Sequence, residues 1–208
     1  MNETKQVDKD QYEFLRYMSK ARWNSLWHQL DEVIRLKPER VLEIGPGLDV
    51  FKNTAGLYGV KVETLDIDPE LKPDHVGSAT ALPFDDNSFD VVCAFQMLEH
   101  LPYETALQAF REMTRVSRGH IVISLPDAKP VWRYLFYLPK IGNFDWLLPR
   151  PFARMKTHHF DGEHHWEINK RGYPLEMLLR DLCEISEVIY TYRVKEKPFH
   201  RFLVLAAK

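Results

Sequence analysis

Cysteine is scarce in this chain: Cys93 and Cys183 are the only two, far apart and without metal-type spacing. They can build neither a disulfide framework nor a cysteine-rich metal site, and they fit a reducing compartment without excluding others. Long apolar runs are missing as well. No stretch approaches the roughly 18 residues that a membrane-spanning helix needs. The opening MNETKQVDKDQ is polar throughout and has no signal-peptide pattern. Nor does one sign of charge dominate. A formal net charge of -2 argues against general binding to nucleic acid. Internal repeats and low-complexity tracts are absent. What is present is a composition 45% hydrophobic and 12% aromatic over 208 residues, enough for one cored domain with an appended subregion. These features predict a globular protein of the cytoplasm; its oligomeric state is not readable.

The pattern of apolar residues organises the chain. YEFLRYMSKARWNSLWHQLDEVIRL spaces Phe14, Leu15, Met18, Trp23, Leu26, Leu30, Val33 and Ile34 as one amphipathic helix, or as two broken near Ser25. RVLEIG is a short buried strand stopped by Gly-Pro-Gly. VKVETLDID, FDVVCAF and HIVISLP read as further strands. YETALQAFREMTRV has helical periodicity, with Gly119 placed as its C-terminal cap. YPLEMLLRDL reads as a helix, and ISEVIYTYRV and RFLVLAAK as strands. Strands alternating with helices predict an α/β fold: a Rossmann-like, mostly parallel sheet with helices on both faces, closed by a late antiparallel hairpin. One domain is expected, with a helical cap over 1–40, a cofactor-binding half over 41–127, an insertion over 128–166 and a C-terminal helix and strands over 167–208. The insertion follows the fourth core strand. From Lys129 to Phe160 it holds four prolines, eight aromatic residues, six Lys or Arg and one acid, Asp145.

The loop VLEIGPGLDVF raises the question of ligand. A dinucleotide loop is G-x-G-x-x-G, opening a helix whose N-terminus meets a pyrophosphate. Here Gly45 and Gly47 are followed by Val50 where the third glycine would stand. Glu43 and Asp49 would face a dianion with two carboxylates, which is unfavourable electrostatics. A ligand with cationic groups and no phosphate fits better, and a dinucleotide oxidoreductase is disfavoured.

VLEIGPG, VETLDIDP and GSATALPFDDNSFDVVCAFQMLEHLP occur in that order. Together they resemble the motifs of class I S-adenosylmethionine-dependent methyltransferases, in the small-molecule branch that includes the quinone-biosynthesis enzymes. The resemblance covers roughly Val41 to Pro126. It implies a seven-stranded sheet, S-adenosylmethionine as cofactor (S-adenosylhomocysteine as product), and methyl transfer to a small-molecule or lipid- or sugar-linked acceptor. By position it implies that Glu43 acts on the network around the methionine ammonium, and that the cofactor approaches the backbone of Gly45 and Gly47 closely. Asp66 would take the ribose hydroxyls, and Ile67 would pack on the adenine. Ser78 and Ala79 would frame the adenine edge, and Gln96 would lie beside the methionine portion. Relatives usually carry Gly-Asp-Ala where this chain has Gly77-Ser78-Ala79. With Asp49, that departure keeps open a catalytically silent cofactor-binding subunit.

Methyl transfer is an in-line displacement, so the protein chiefly aligns the acceptor and excludes water. A base is needed only where the accepting atom carries a proton. His100, just past FDVVCAF, suits that role at neutral pH, or it caps the following helix. Glu99 is expected to be structural, tying down the N-terminal helix. THHFDGEHHWEI adds His158, His159, His164 and His165, with His165 or His164 as a second candidate base and Trp166 as substrate wall. Small-RNA ribose methyltransferases carry E-x-x-E-H plus a further histidine around a divalent ion. Here Gln96 replaces the first carboxylate, so no metal is expected and nucleic acid is disfavoured as partner. The insertion reads as a lid whose aromatics suit a bulky acceptor and whose bases suit an anionic portion. Its six bases are too spread along the sequence for a membrane-docking patch.

Overall fold

The computed structural model describes residues 18–208. Ser19 caps the first helix among the described residues, α1 (Lys20–Arg35), its hydroxyl accepting from the Arg22 amide at 3.1 Å. The helix runs unbroken through Ser25, which is buried and bonds His200 Nδ1 at 2.7 Å. Phe14 and Leu15 of the expected helix lie outside the described residues.

The next elements are β1 (Arg40–Ile44), α2 (Val50–Leu57), β2 (Lys61–Asp66), the two-residue β3 (His75–Val76), β4 (Phe89–Phe95), α3 (Tyr103–Val116) and β5 (Ser117–Pro126). After them come β6 (Val131–Leu138), β7 (Gly142–Pro149), α4 (Leu175–Ile185), β8 (Glu187–Arg193) and β9 (His200–Ala206). Seven strands form one sheet in the order β3-β2-β1-β4-β5-β9-β8. The first five are parallel, and β9 runs antiparallel to both β5 and β8. This is the doubly wound sheet expected from the alternation of strands and helices.

Each central strand feeds two cores. Leu42 and Ile44 of β1 pack with Phe110 and Met113 of α3 and Leu182 of α4. Val41 points the other way and packs with Leu26 and Val33 of α1 and Phe51 of α2. The central strands therefore read as continuous apolar runs, because both faces are covered.

Two expectations are corrected. Gly119 is not a helix cap: α3 passes directly into β5 at Ser117. A Cβ on Gly119 would lie 2.6 Å from the Asp90 carbonyl oxygen, so glycine is there for a close strand approach. The insertion is a regular antiparallel hairpin, β6–β7, forming a sheet of its own. Phe136 stacks on Phe144 with centroids 5.2 Å apart, and Arg133 holds Asp145 through two bonds of 2.9 Å. Its aromatic residues hid the strand alternation, since both faces carry apolar side chains. At its base the buried Asp127 accepts from Arg201 Nε at 2.8 Å, Asn169 Nδ2 at 2.9 Å and the Lys129 amide at 2.9 Å.

Candidate functional site

The carboxyl ends of β1, β2 and β4 open into one cavity of about 830 Å³, within the roughly 300–1,000 Å³ usual for small-molecule sites. The turn after β1 shapes its floor. Gly45, Gly47 and Asp49 take left-handed backbone with φ of 69°, 60° and 56°, a conformation that glycine adopts without steric cost. The Gly45 amide donates to Leu65 O at 2.9 Å. A Cβ there would stand 2.4 Å from Met97 Cγ, so a side chain would have to displace that of Met97 in the loop after β4.

Two carboxylates stand on the wall. Glu43, in register with Thr64 and Cys93, is 4% exposed and its Oε2 has no hydrogen-bond partner. Burial holds its pKa well above the usual value, and Asp49 nearby pushes it the same way. Asp66 closes β2, one oxygen accepting the Asp68 amide at 2.9 Å, and burial raises its pKa too. Asp49 itself is not on the wall. Its Oδ1 is buried without a partner and its pKa is raised by burial, against the pull of Lys52.

Gly45, Gly47, Ile67, Ala79, Gln96 and His100 also line the cavity, as does His165. Gln96 sits in left-handed backbone at φ 54° and is held by Ser124, which accepts from its backbone amide at 2.9 Å and its side-chain amide at 3.3 Å. Ser78 is the exception among the expected cofactor residues. Its hydroxyl turns onto the Thr80 amide at 3.1 Å, and the wall there is built by Gly77, Ala79 and Thr80. Trp166 also departs from expectation: it is 1% exposed, packs in the core and donates to Leu101 O at 3.1 Å. Its polar neighbours pointed to a wall, but the indole completes the layer beneath α3 and α4.

The histidines converge on the same wall. His100 Nδ1 donates to Glu163 O at 3.0 Å, and burial lowers its pKa. His164 lies against it with ring centroids 5.1 Å apart and bonds Glu167 Oε1 through Nδ1 at 3.3 Å, which raises its pKa. His165 packs on Phe160 at 4.6 Å and donates its amide to the Glu99 carbonyl at 2.8 Å. Glu99 does not tie down α1. It is fully buried beside His164 and Glu167, and neither carboxylate oxygen has a hydrogen-bond partner.

Two parts of the wall have no signal in the sequence. Arg22, Leu26 and Gln29 of α1 line it, as do Lys197, Phe199 and His200 around the β8–β9 turn. Burial, with Arg22 nearby, lowers the Lys197 pKa to about 8. Among the described residues, none of 129–160 lines the cavity.

Comparison with known proteins agrees with this architecture. Residues 42–123 match the family model described as a methyltransferase domain. A demethylmenaquinone methyltransferase of Bacillus cereus is 29% identical over 160 residues, 74% of this chain and 61% of that protein. The chain spans about three fifths of the length of the curated relatives it matches. A Pyrococcus horikoshii protein of known structure superposes with a TM-score of 0.65 at 16% identity, over 97% of this chain and 100% of that one. The Burkholderia thailandensis 1,6-didemethyltoxoflavin-N1-methyltransferase, solved with its acceptor and S-adenosylhomocysteine, superposes at 0.60 and 12% identity over 96% and 83%. The chain shares the Rossmann-like α/β fold of these two structures, and its residues 42–123 are similar to a methyltransferase domain.

Glu43 generates a prediction. An acid whose pKa is raised by folding keeps its proton in the fold after the unfolded chain has released it. Its contribution is therefore complete below the ordinary value of 4.5 and is lost as pH rises through the folded value. Glu43→Gln does not titrate. Its Tm should gain on wild type as pH is raised from 4.5 toward the folded value. A Tm difference that stays flat across that range would contradict the assignment.

Proposed function

We propose that this chain binds S-adenosylmethionine in the cavity and transfers its methyl group to a small-molecule acceptor. One observation carries the reading: two carboxylates, Glu43 and Asp66, share a wall with a glycine turn at the carboxyl ends of adjacent parallel strands. Such a wall repels phosphate and attracts cations, and ligands of open α/β sheets bind at that edge. The orphaned oxygen of Glu43 and the absence of room for a side chain at Gly45 fit a cofactor with an ammonium and a closely approaching body.

Asp66 would hold the two ribose hydroxyls, its other oxygen being occupied by the Asp68 amide. Ile67, 38% exposed, would pack on the adenine, with Ala79 at its edge. Glu43 would balance the methionine ammonium, and Gly45, Gly47 and Gln96 would frame the chain between. Ser78 would contribute through the turn that its hydroxyl closes with Thr80 rather than through a bond to the adenine. Asp49 supplies left-handed backbone and turns its side chain elsewhere, so the substitution that suggested a silent module leaves the wall intact. The cofactor supplies an electrophilic methyl group on a sulfonium.

The chain's own work is alignment and, where needed, proton removal. With Nδ1–H held by Glu163 O, His100 presents Nε2 as an acceptor, and its lowered pKa keeps the ring neutral near pH 7. His165 is the second candidate base. Arg22 and Lys197 stand beside Leu26 and Phe199 on the α1 and β8–β9 side of the wall, which suits an acceptor with an apolar body and an anionic portion.

Calorimetry tests the reading. Asp66→Ala removes two hydroxyl-to-carboxylate bonds and should weaken S-adenosylhomocysteine binding by about 2–4 kcal/mol, with the fold intact by circular dichroism. Unchanged affinity would show that the ribose is not held there.

A further inference from the structure

We propose that Glu99, His100 and His164 form a binding site for one divalent transition-metal ion at the inner wall of the cavity. Each offers a ligand atom within 4.8 Å of those of the other two. Ligand atoms around such an ion lie about 2.0–2.2 Å from it, so modest side-chain rotation closes the set. The two imidazoles are prepared for the role. His100 gives its Nδ1 proton to the Glu163 carbonyl at 3.0 Å and His164 pairs Nδ1 with Glu167 Oε1 at 3.3 Å. Metal-bound histidines are oriented by such an oxygen partner on the other nitrogen.

Glu99 supplies the independent observation. It is fully buried, and both carboxylate oxygens are without a hydrogen-bond partner. A buried carboxyl group left unbonded is costly, and a divalent ion resolves that cost. His100 and His164 line the cavity while Glu99 lies behind them, so the open coordination positions face the acceptor. Imidazole and carboxylate donors favour manganese, iron, cobalt, nickel or zinc over calcium. His100 then serves as a ligand rather than as the base, and an acceptor oxygen at the ion would ionise more readily. The site rests on these side chains and not on the methyl-transfer reading.

The test is direct titration of the chelator-treated protein with Zn²⁺, and with Co²⁺ followed by its visible absorption. One equivalent should bind. Glu99→Gln and His164→Ala should each weaken binding more than about tenfold, and Glu167→Gln by about 10- to 100-fold, with unchanged melting curves. His159→Ala, outside the cluster, should have no effect. Absence of uptake below about 0.1 mM metal, or an affinity that moves less than tenfold in both ligand variants, overturns the proposal. Cofactor calorimetry on the same samples reads the methyl-transfer proposal separately.

A different observation carries a second inference: the β6–β7 hairpin docks on an anionic lipid surface. Trp132, Leu135, Tyr137, Ile141, Trp146 and Phe152 are exposed, Phe152 completely. None belongs to the cavity wall. Alternating side chains on both faces are apolar, so burying one face against the domain would still leave the other in water. Lys129, Lys140, Arg150, Arg154 and Lys156 are exposed around them, whereas the one acid, Asp145, is held by Arg133. Lys140 stands at the hairpin's tip and Lys129 and Arg150 at its base, so bases flank the apolar strands at both ends within a chain of net negative charge. Aromatic and basic side chains combined suit the interface of a bilayer, and the same charges disfavour pairing with a second copy.

Sedimentation with vesicles tests this. The full chain should pellet with phosphatidylcholine–phosphatidylglycerol vesicles, stay soluble with pure phosphatidylcholine, and be released by about 0.5 M salt. Tyr137→Glu combined with Ile141→Glu should reduce binding at least tenfold. Protein that stays in the supernatant with both vesicle types overturns the inference, as does a dimer that forms without lipid binding.

Discussion

The close approach of Gly45 to Met97 is the contact on which the site depends. Parallel strands β1 and β4 lie side by side, and their loops meet over the sheet edge where the β1 turn carries no side chain. A Cβ at Gly45 would sit 2.4 Å from Met97 Cγ. The left-handed turn through Gly45, Gly47 and Asp49 then starts α2 and sets Glu43 at the floor. On the other side of the contact, Gln96 enters left-handed backbone and the short turn Leu98–His100 delivers the histidine. One steric constraint thus places both the acidic and the imidazole walls.

Electrostatics divides the cavity. Its strand side carries Glu43 and Asp66, each destabilised as an anion by burial; a cationic ligand relieves that burden. Another part of the lining carries Arg22 and Lys197, with burial lowering the Lys197 pKa. His100 and His164 share the lining, with the buried Glu99 behind them. The domain leaves polar groups unsatisfied at the cavity and behind its wall, whereas Asp127 at the base of the hairpin is fully bonded. Folded proteins rarely bury unpartnered carboxylates without a ligand to meet them.

The strands and the glycine turn were legible in the sequence because local rules govern them: apolar runs for strands covered on both faces, and Gly-Pro-Gly for a turn with positive φ. Asp66 was legible through its spacing from Gly45. What was not legible depends on distant packing. Ser78 turns onto Thr80, a choice between two local hydrogen bonds that residue type cannot settle. Trp166 fills core space beneath α3 and α4, which no pattern around it reveals. Gly119 looked like a cap because it follows a helix, yet its partner is the Asp90 carbonyl 29 positions earlier. The hairpin escaped notice because two apolar faces erase the period of two that marks a strand. The α1 and β8–β9 parts of the wall arise from chain ends that meet only in the fold.

The central claim is that the acidic wall around the glycine turn holds S-adenosylmethionine by its ribose and its ammonium. A crystal structure of the chain soaked with S-adenosylhomocysteine tests this most directly. Both ribose hydroxyls should lie on the Asp66 carboxylate and the amino group toward Glu43, with no contact to the Asp49 side chain. Ligand density elsewhere on the molecule, or a cavity that stays without it at saturating concentration, would show that the wall does not hold this cofactor.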